Sequence, residues 1–488
     1  MTQQQLEKYL WGAATLLRGT IDAGDYKQYI FPLLFFKRIC DVYDEEFERA
    51  LAESDGDMEY AAFAEHHHFQ VPEQAHWNRV REITTNVGMA LQEAMRTIEK
   101  ANPDTLYGIF GDASWTNKDR LSDATLTNLI EHYSQHKLSL SNVADDKLGN
   151  AYEYLIKEFA DDSGHTAAEF YTNRTVVKLM TLIMDPQPGE SVYDPTCGSG
   201  GLLLNCALHL KEEGKEYRTL KLYGQEINLL TSAIARMNMF MHGIEEFSIV
   251  RGNTLANPAF LHNDSLKTFN VILANPPYSI KAWDQKSFAS DPYGRNIWGT
   301  PPQGCADYAF QQHIQKSLDE KNGRSITLWP HGVLFRDSEA AMRSKMIEQD
   351  LVECVIGLGP NLFYNSPMEA CLLITKTNKE PHKKGRILFI NAVNEVKQEK
   401  TMGFLEDKHI EKIFGAYQKF ESQEHFAALK TIDEVMVNKG NMAISLYVQP
   451  EKNGDNPILP FEEAFANWEE SGRNLKSSMS ELFKILEY

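Results

Sequence analysis

The chain has 488 residues, of which 42% are hydrophobic and 24% charged, and its formal net charge is -19. This length exceeds what one hydrophobic core usually serves and predicts two or three domains. The acidic balance excludes tight nucleic-acid binding through overall charge, because that affinity comes from lysine and arginine neutralising phosphates.

Residues 1–150 predict a helical N-terminal domain, since apolar residues recur at helical spacing, most clearly over 26–52. Within this domain, the run Glu65-His66-His67-His68 contains metal-ligating residue types. Neighbouring helix positions point in different directions, however, and no fourth ligand is evident. We therefore predict a solvated or capping role for this run, and no metal site.

Residues 151–395 alternate between apolar strand-like runs and helical runs, which predicts a mostly parallel, doubly wound α/β sheet. Ligands of such sheets bind at the carboxyl ends of the strands. The predicted strands are Ser191–Tyr193, Leu220–Gly224, Phe247–Arg251, Val271–Ala274, Ser325–Trp329 and Val352–Leu358, and the predicted helices are Leu202–Glu213, Leu229–His242, Ala309–Asp319 and Ser338–Glu348.

Two later segments break this alternation. Lys281 to Ala306 has no clear period but is rich in aromatic residues and glycine, which predicts a long functional loop. Residues 396–488 predict a helical C-terminal region. Its end has apolar residues at helical spacing, which leaves two readings open: a helix packed on its own domain, or a helix that docks a partner.

The six cysteines are widely separated and none forms a CxxC pair, so neither a zinc site nor a disulfide framework is predicted. No apolar run reaches the ~20 residues that a bilayer crossing needs, so no membrane association is expected. A reducing cytoplasm is the expected location.

A glycine-rich turn follows the first predicted strand, in the sequence Asp194-Pro195-Thr196-Cys197-Gly198-Ser199-Gly200-Gly201. Glycines allow positive φ and close approach of the backbone to a ligand. The helix that follows offers free N–H groups. Because no Gly-Lys-Ser/Thr follows, this turn is not a P-loop, and ATP is not the expected ligand.

The next two strands also end in polar residues. Glu226 ends the second, where a carboxylate can accept hydrogen bonds from both ribose hydroxyls. Asn253 and Leu255 follow the third, where they can reach an adenine edge. The three strand ends together predict a nucleotide-like cofactor.

The fourth strand ends in Asn275-Pro276-Pro277-Tyr278, beside the first strand at the predicted switch point. An exocyclic base amine is a poor nucleophile because its lone pair is delocalised into the ring. The Asn275 side-chain oxygen and the Pro276 carbonyl could accept its two N–H groups, and Tyr278 offers a ring to stack on a flipped base. In-line methyl transfer needs mainly alignment, so this pairing indicates S-adenosylmethionine (AdoMet) chemistry on a nucleobase.

These motifs resemble those of adenine-N6 DNA methyltransferases. The sequence before the glycine turn, Ala168-Glu169-Phe170-Tyr171-Thr172, is placed as in the class where the cofactor motif comes first. The stretches 26–38, 147–156, 329–336 and 385–390 resemble the M subunits of type I restriction-modification systems, so the likeness covers nearly the whole chain.

The resemblance implies a Rossmann-like sheet of seven strands, mostly parallel, with the last strand inserted antiparallel. It also implies roles for individual residues. Asp194, Thr196, Gly198, Ser199 and Gly200 would hold the methionine part of AdoMet, together with Glu169, Tyr171 and Thr172. Glu226 would bind the ribose, and Asn253 and Leu255 would bracket the cofactor adenine. Asn275, Pro276, Pro277 and Tyr278 would hold the target adenine.

The resemblance further implies partners: a specificity (S) subunit, with two M subunits to one S, a motor-nuclease (R) subunit, and double-stranded DNA. The C-terminal helix around Leu475 to Leu486 is the expected docking element. Two other functions remain open on the residues alone. One is methylation of another planar amine, such as cytosine N4, an RNA base or a protein glutamine. The other is an idle AdoMet-binding scaffold.

Overall fold

The computed structural model describes residues 1–162, 172–362, 369–399 and 402–449, and in the C-terminal tail 462, 465–466, 468–473 and 475–476. The chain divides into two compact units, Met1–Val448 and Gln449–Tyr488. In the described part of the second unit, residues 468–473 are helical. No described helix combines the length and apolar character needed to cross a membrane.

The N-terminal part is helical, as the sequence predicts. Its helices are α1 (Gln3–Leu17), α2 (Lys27–Glu53), α3 (Met58–Ala61), α4 (Trp77–Arg81), α5 (Val87–Ala101), α6 (Pro103–Leu106), α7 (Asp123–Tyr133) and α8 (Asp145–Asp162). They enclose a core of apolar residues that is rich in aromatic rings.

The run of histidines contributes to this packing. His67 stacks on Tyr43 with ring centroids 4.2 Å apart. His68 binds the Glu46 carboxylate, and its Nε2 lies 3.2 Å from Glu245, which precedes the strand Phe247–Arg251 of the sheet-forming part. Because His68 contacts both Glu46 and Glu245, the run joins the helical N-terminal part to the part of the chain that forms the sheet.

The catalytic part contains α9 (Arg174–Met184), β1 (Ser191–Asp194), α10 (Gly201–Glu212), β2 (Lys221–Glu226), α11 (Leu229–Met241), β3 (Phe247–Arg251), β4 (Leu261–His262), β5 (Ser265–Leu266), β6 (Val271–Ala274), α12 (Gln285–Ala289), α13 (Asp307–Lys316), β7 (Arg324–Pro330), α14 (Ala340–Glu348), β8 (Val352–Leu358) and β9 (Ala370–Lys376). After it come β10 (Arg386–Ala392), β11 (Lys397–Gln398), β12 (Gly403–Phe404), α15 (Asp407–Lys419), β13 (Ala427–Thr431) and α16 (Ile432–Val437).

Nine strands form the central sheet, in the order β13-β10-β8-β9-β7-β6-β1-β2-β3. The predicted count of seven is therefore wrong. Strand β10 pairs parallel to β8, and β13 pairs antiparallel to β10, which adds two strands beyond β8. The predicted antiparallel insertion is present, because β9 lies antiparallel between β7 and β8.

Strands β1 and β6 define the switch point. Strand β1 pairs in parallel with β2 on one side and with β6 on the other. The crossover helices from these two neighbours therefore diverge, and a crevice opens at their carboxyl ends. Asp194, Glu226 and Asn275 stand at this edge, because they end or directly follow β1, β2 and β6.

Strand β13 lies within the region predicted as a helical C-terminal domain, so the central sheet draws on residues beyond 395. Residue 150 lies inside α8, whose apolar face belongs to the N-terminal core. The domain boundaries at residues 150 and 395 remain predictions.

Candidate active site

The glycine-rich turn is shaped by hydrogen bonds to its neighbour strand. The Gly198 N–H donates to Oε2 of Glu226 at 3.0 Å, and the Cys197 N–H donates to the Gln225 carbonyl at 3.0 Å. Gly200 has φ of 81° and immediately precedes α10. A Cβ at Gly200 would lie 3.1 Å from the end of Met239, so both conformation and space favour glycine there.

Two carboxyl groups are buried beside this turn. Asp194 accepts a hydrogen bond from the Thr196 N–H at 3.0 Å, and Glu226 accepts one from the Asn228 N–H at 2.8 Å. Burial, with a smaller contribution from the charge of Glu226, raises the pKa of Asp194 to about 8. Burial also raises the pKa of Glu226. Both groups are thus destabilised as anions, and a cationic ligand nearby would stabilise their ionised forms.

A cavity of about 460 Å³ opens beside Glu226. Its size is in the usual range for sites that bind small molecules. The ends of four strands, β1, β2, β3 and β6, and the segment 281–306 line it. Its lining includes the predicted Thr196, Glu226, Asn253, Leu255, Asn275 and Pro277, and also Ile227, Asn228, Phe288, Tyr293, Arg295 and Phe310.

Asn253 stabilises the loop that follows β3 and lines this cavity. Its side-chain oxygen accepts the N–H groups of Leu255 at 3.0 Å and Ala256 at 3.1 Å. The resemblance leads one to expect aspartate here. An amide oxygen supplies the same two acceptor contacts without the charge.

Arg295 braces the same loop from the segment 281–306. It is buried and donates to the backbone carbonyls of Thr254 at 2.9 Å and Leu255 at 2.8 Å. Its charge is balanced by Asp291, 2.5 Å away. Neither Arg295 nor Asp291 could be predicted from the sequence, because no local pattern reveals which backbone groups a distant guanidinium reaches.

A second, smaller cavity of about 30 Å³ lies on the other side of Asn275, beside the glycine-rich turn. Thr172 lies here, whereas Glu169 and Tyr171 lie outside the described residues. The lining of this cavity includes Glu153, Thr172, Arg174, Asp194, Thr196, Gly198, Ser199 and Asn275. Asn275 and Thr196 line both cavities and therefore stand where the two meet.

The Asn275 side chain is held at both ends. Its Nδ2 donates to Oγ1 of Thr172 at 3.0 Å, and its Oδ1 accepts from the Tyr278 hydroxyl at 2.8 Å. Burial raises the pKa of Tyr278 well above its ordinary value, so the phenol stays protonated and can donate. These two contacts fix the orientation of the amide, with its oxygen on the Tyr278 side.

The prolines that follow have different environments. Pro276 is buried, whereas Pro277 is exposed and lines the larger cavity. Beyond Tyr278, the chain turns at Ser279, which has φ of 51° and donates its N–H to Asp307 at 2.7 Å. Arg336 binds both Asp307 and Glu339 and so holds the far side of this turn.

Comparison with known proteins assigns the chain to a family. Residues 143–456 match the model of the N-6 DNA methylase family, and residues 6–133 match that of the HsdM N-terminal domain. The chain belongs to the N-6 DNA methylase family. This methylase is therefore an AdoMet-dependent, adenine-specific DNA methyltransferase of the type I restriction-modification kind. The match to both models does not favour the alternative substrates or the idle scaffold.

Relatives of the methylase include the type I restriction enzyme MpnII methylase subunit of Mycoplasma pneumoniae, which is 30% identical over 91% of this chain and 89% of that protein. The MjaIX methylase subunit of Methanocaldococcus jannaschii is 27% identical over 96% of this chain and 88% of that protein. A type I methyltransferase subunit from Streptococcus thermophilus has a solved structure that superposes with a TM-score of 0.79, at 30% identity, covering 92% of this chain and all of that one.

Proposed function

We propose that the crevice between the two cavities is the place of methyl transfer, with the cofactor adenosine in the larger cavity and its methionine part in the smaller one. The observation that supports this placement is the position of Asn275, which lines both cavities. When bound, AdoMet supplies an electrophilic methyl group. The residues of the chain bind the cofactor, orient the target amine towards it and exclude water from both.

The residues at the larger cavity fit the adenosine part. Each oxygen of Glu226 accepts one backbone N–H and keeps a lone pair for a ribose hydroxyl. Leu255, Ile227 and Phe310 supply apolar surface for an adenine ring. At the smaller cavity, the Thr172 hydroxyl and the Ser199 N–H, which donates to no described acceptor, are donors for the carboxylate of the methionine part.

The target amine would be held by Asn275 and Pro276. The Asn275 oxygen already accepts one hydrogen bond and has a second lone pair for an N–H of adenine. No described residue donates a hydrogen bond to the Pro276 carbonyl, so this oxygen can take the other N–H. Two acceptors draw the nitrogen towards tetrahedral geometry, which exposes its lone pair. Tyr278 orients the amide and offers its ring to the base.

This role predicts a specific defect. Asn275→Ala removes one acceptor and the contact that Tyr278 makes, so methyl transfer should fall by about 100-fold or more. AdoMet affinity should change little, because the ribose and methionine contacts remain. Transfer is measured with labelled AdoMet and cognate DNA in the presence of the S subunit, and digestion to nucleosides with mass spectrometry identifies N6-methyladenine.

The control is Asn322→Ala, an exposed asparagine that precedes β7 at the opposite edge of the sheet. It should keep full activity. Full activity of Asn275→Ala would reject the role assigned to this amide, whereas loss of AdoMet binding would show that it serves the cofactor site instead.

We further propose that the protein works in a complex with an S subunit and double-stranded DNA, two M subunits to one S, and that an R subunit joins for cleavage. The relatives are named methylase subunits, which supports an assembly. The net charge of -19 also favours a partner that supplies phosphate contacts. Exposed Phe465, Trp468 and Leu475 in the C-terminal tail are the candidate docking residues.

A further inference from the structure

Helix α8 has two faces that serve different parts of the protein. Leu148, Tyr152 and Leu155 are fully buried in the core of the helical N-terminal part. Glu153 lies between them in sequence and points elsewhere, because successive residues of a helix are about 100° apart. It lines the smaller cavity, together with Asp194 and Asn275.

Among the described residues, Glu153 has one charged partner. Arg174, the first residue of α9, places Nη2 2.7 Å from Oε2 of Glu153 and lines the same cavity. The Glu153 side chain is 10% exposed, whereas that of Arg174 is 42% exposed. A carboxylate buried to this degree costs free energy unless its acceptor sites are filled. Burial raises the pKa of Glu153 in spite of the arginine.

The cavity therefore offers a paired carboxylate and guanidinium side by side, with the second carboxyl group, Asp194, also in its lining. The methionine part of AdoMet ends in an ammonium and a carboxylate on one carbon atom. The two pairs of charges are complementary. Of the described residues that line the larger cavity, Arg295 is the one cation, and it is already bonded to Asp291 and two backbone carbonyls.

We propose that Glu153 and Arg174 recognise the amino-acid end of the cofactor, with Glu153 accepting hydrogen bonds from the ammonium and Arg174 donating to the carboxylate. This inference rests on the proposed placement of the methionine part in the smaller cavity. It makes the helical N-terminal part a direct contributor to cofactor binding, through the last of its helices. The exposed Arg174 side chain can swing to admit the ligand.

The experiment compares two ligands by calorimetric titration of the full chain. S-adenosylhomocysteine carries the amino-acid end, whereas 5′-methylthioadenosine lacks it. Glu153→Gln should lower the affinity for S-adenosylhomocysteine by about tenfold or more, as expected for loss of a charged hydrogen bond. The affinity for 5′-methylthioadenosine should not change. Arg174→Gln should show the same selectivity. Glu158→Gln, on the same helix but outside both cavity linings, should affect neither ligand.

The outcomes separate this inference from the placement of the cofactor. Glu226→Ala should weaken both ligands, because both contain ribose. If Glu226→Ala does so and Glu153→Gln weakens neither ligand, the recognition role is overturned and the placement stands. If Glu153→Gln weakens both ligands equally, its role is structural and the inference is also overturned. If Glu226→Ala affects neither ligand, the cofactor placement itself fails.

Discussion

Asp194 is a carboxylic acid that the fold buries at the end of β1, beside a second acid, Glu226. Its pKa of about 8 lies far above the ordinary value of 3.8, with burial as the main cause. A proton is therefore bound more tightly in the native state than in the unfolded chain. The stability that this proton provides is complete below pH 3.8 and is lost as the pH rises to about 8.

This linkage predicts a pH-dependent effect of Asp194→Asn. The stability of the wild type should fall between pH 5.5 and pH 8.5. In Asp194→Asn the fall should be smaller, because the neutral amide has no proton to lose. The measurement is the thermal unfolding midpoint of both proteins without ligand across this range. The carboxylate of Asp319 makes a matched control, since Asp319→Asn should leave the wild-type slope unchanged. Parallel slopes for wild type and Asp194→Asn would contradict the shifted pKa.

Single residues also show where sequence reasoning reaches its limit at the site. Asp194, Glu226 and Asn275 could be placed together from the sequence, because each follows an apolar strand and parallel strands share their carboxyl edge. Glu153, Arg174 and Arg295 could not. They come from helices and a loop, and only tertiary packing brings them to the cavities.

At the level of elements, the segment 281–306 forms a wall of the larger cavity. The sequence predicts a long functional loop here. In the structure Phe288, Arg295 and Trp298 of this segment are buried, and α12 forms within it. Three of its aromatic residues, Trp283, Phe288 and Tyr293, line the larger cavity.

The bracing by Arg295 gives this segment a testable role. Arg295→Lys keeps the charge but cannot reach Asp291 and two carbonyls at once, because an ammonium lacks the planar fork of the guanidinium. The loop at Thr254 and Leu255 should loosen, and affinity for AdoMet should fall by about tenfold. Calorimetric titration checks this value.

The defect should extend to 5′-methylthioadenosine, since the loop lines the larger cavity, where we propose that the adenosine part binds. Arg251→Lys, at the exposed end of β3, is the control and should bind both ligands normally. Unchanged affinity in Arg295→Lys would show that the loop holds its shape without the guanidinium.

The strands illustrate what pattern alone gives. All six strands predicted between 191 and 358 are present, because each is a short apolar run between polar turns. Strand β9 is as apolar as its neighbours, so its direction could not be read from its residues. Strand β13 was missed because Ala427–Thr431 ends in half-exposed and exposed residues, as an edge strand does.

At the scale of the whole molecule, the net charge of -19 and the exposed apolar residues of the C-terminal tail concern the proposed assembly with an S subunit. In the described tail residues, Trp468 is 70% exposed and Leu475 is 64% exposed. Large apolar side chains at helical positions fit contact with another protein surface better than a fully solvated helix. The sequence left open whether this helix docks on its own domain or on a partner.

Charged substitutions distinguish these two readings. The double variant Trp468→Asp and Leu475→Asp should abolish co-purification with the S subunit, because two anchors would become charged. AdoMet binding should stay normal, since neither residue lines a cavity. Ser471→Asp, exposed in the same helical stretch, is the control and should retain the S subunit. Undiminished co-purification of the double variant would place the contact elsewhere.

Helix α11 belongs to two hydrophobic cores at once. Ala233, Ile234 and Met237 pack into the N-terminal core, whereas Ala235 and Met239 pack into the core of the sheet. On the sheet side, Asn238 donates to the Ser199 carbonyl at 3.1 Å, within the glycine-rich turn. A hybrid enzyme that takes its N-terminal helices from a relative must therefore inherit one face of α11 as well. Without it, the foreign helices would meet a mismatched surface at Met237, the residue next to the Asn238 side chain that contacts the glycine-rich turn.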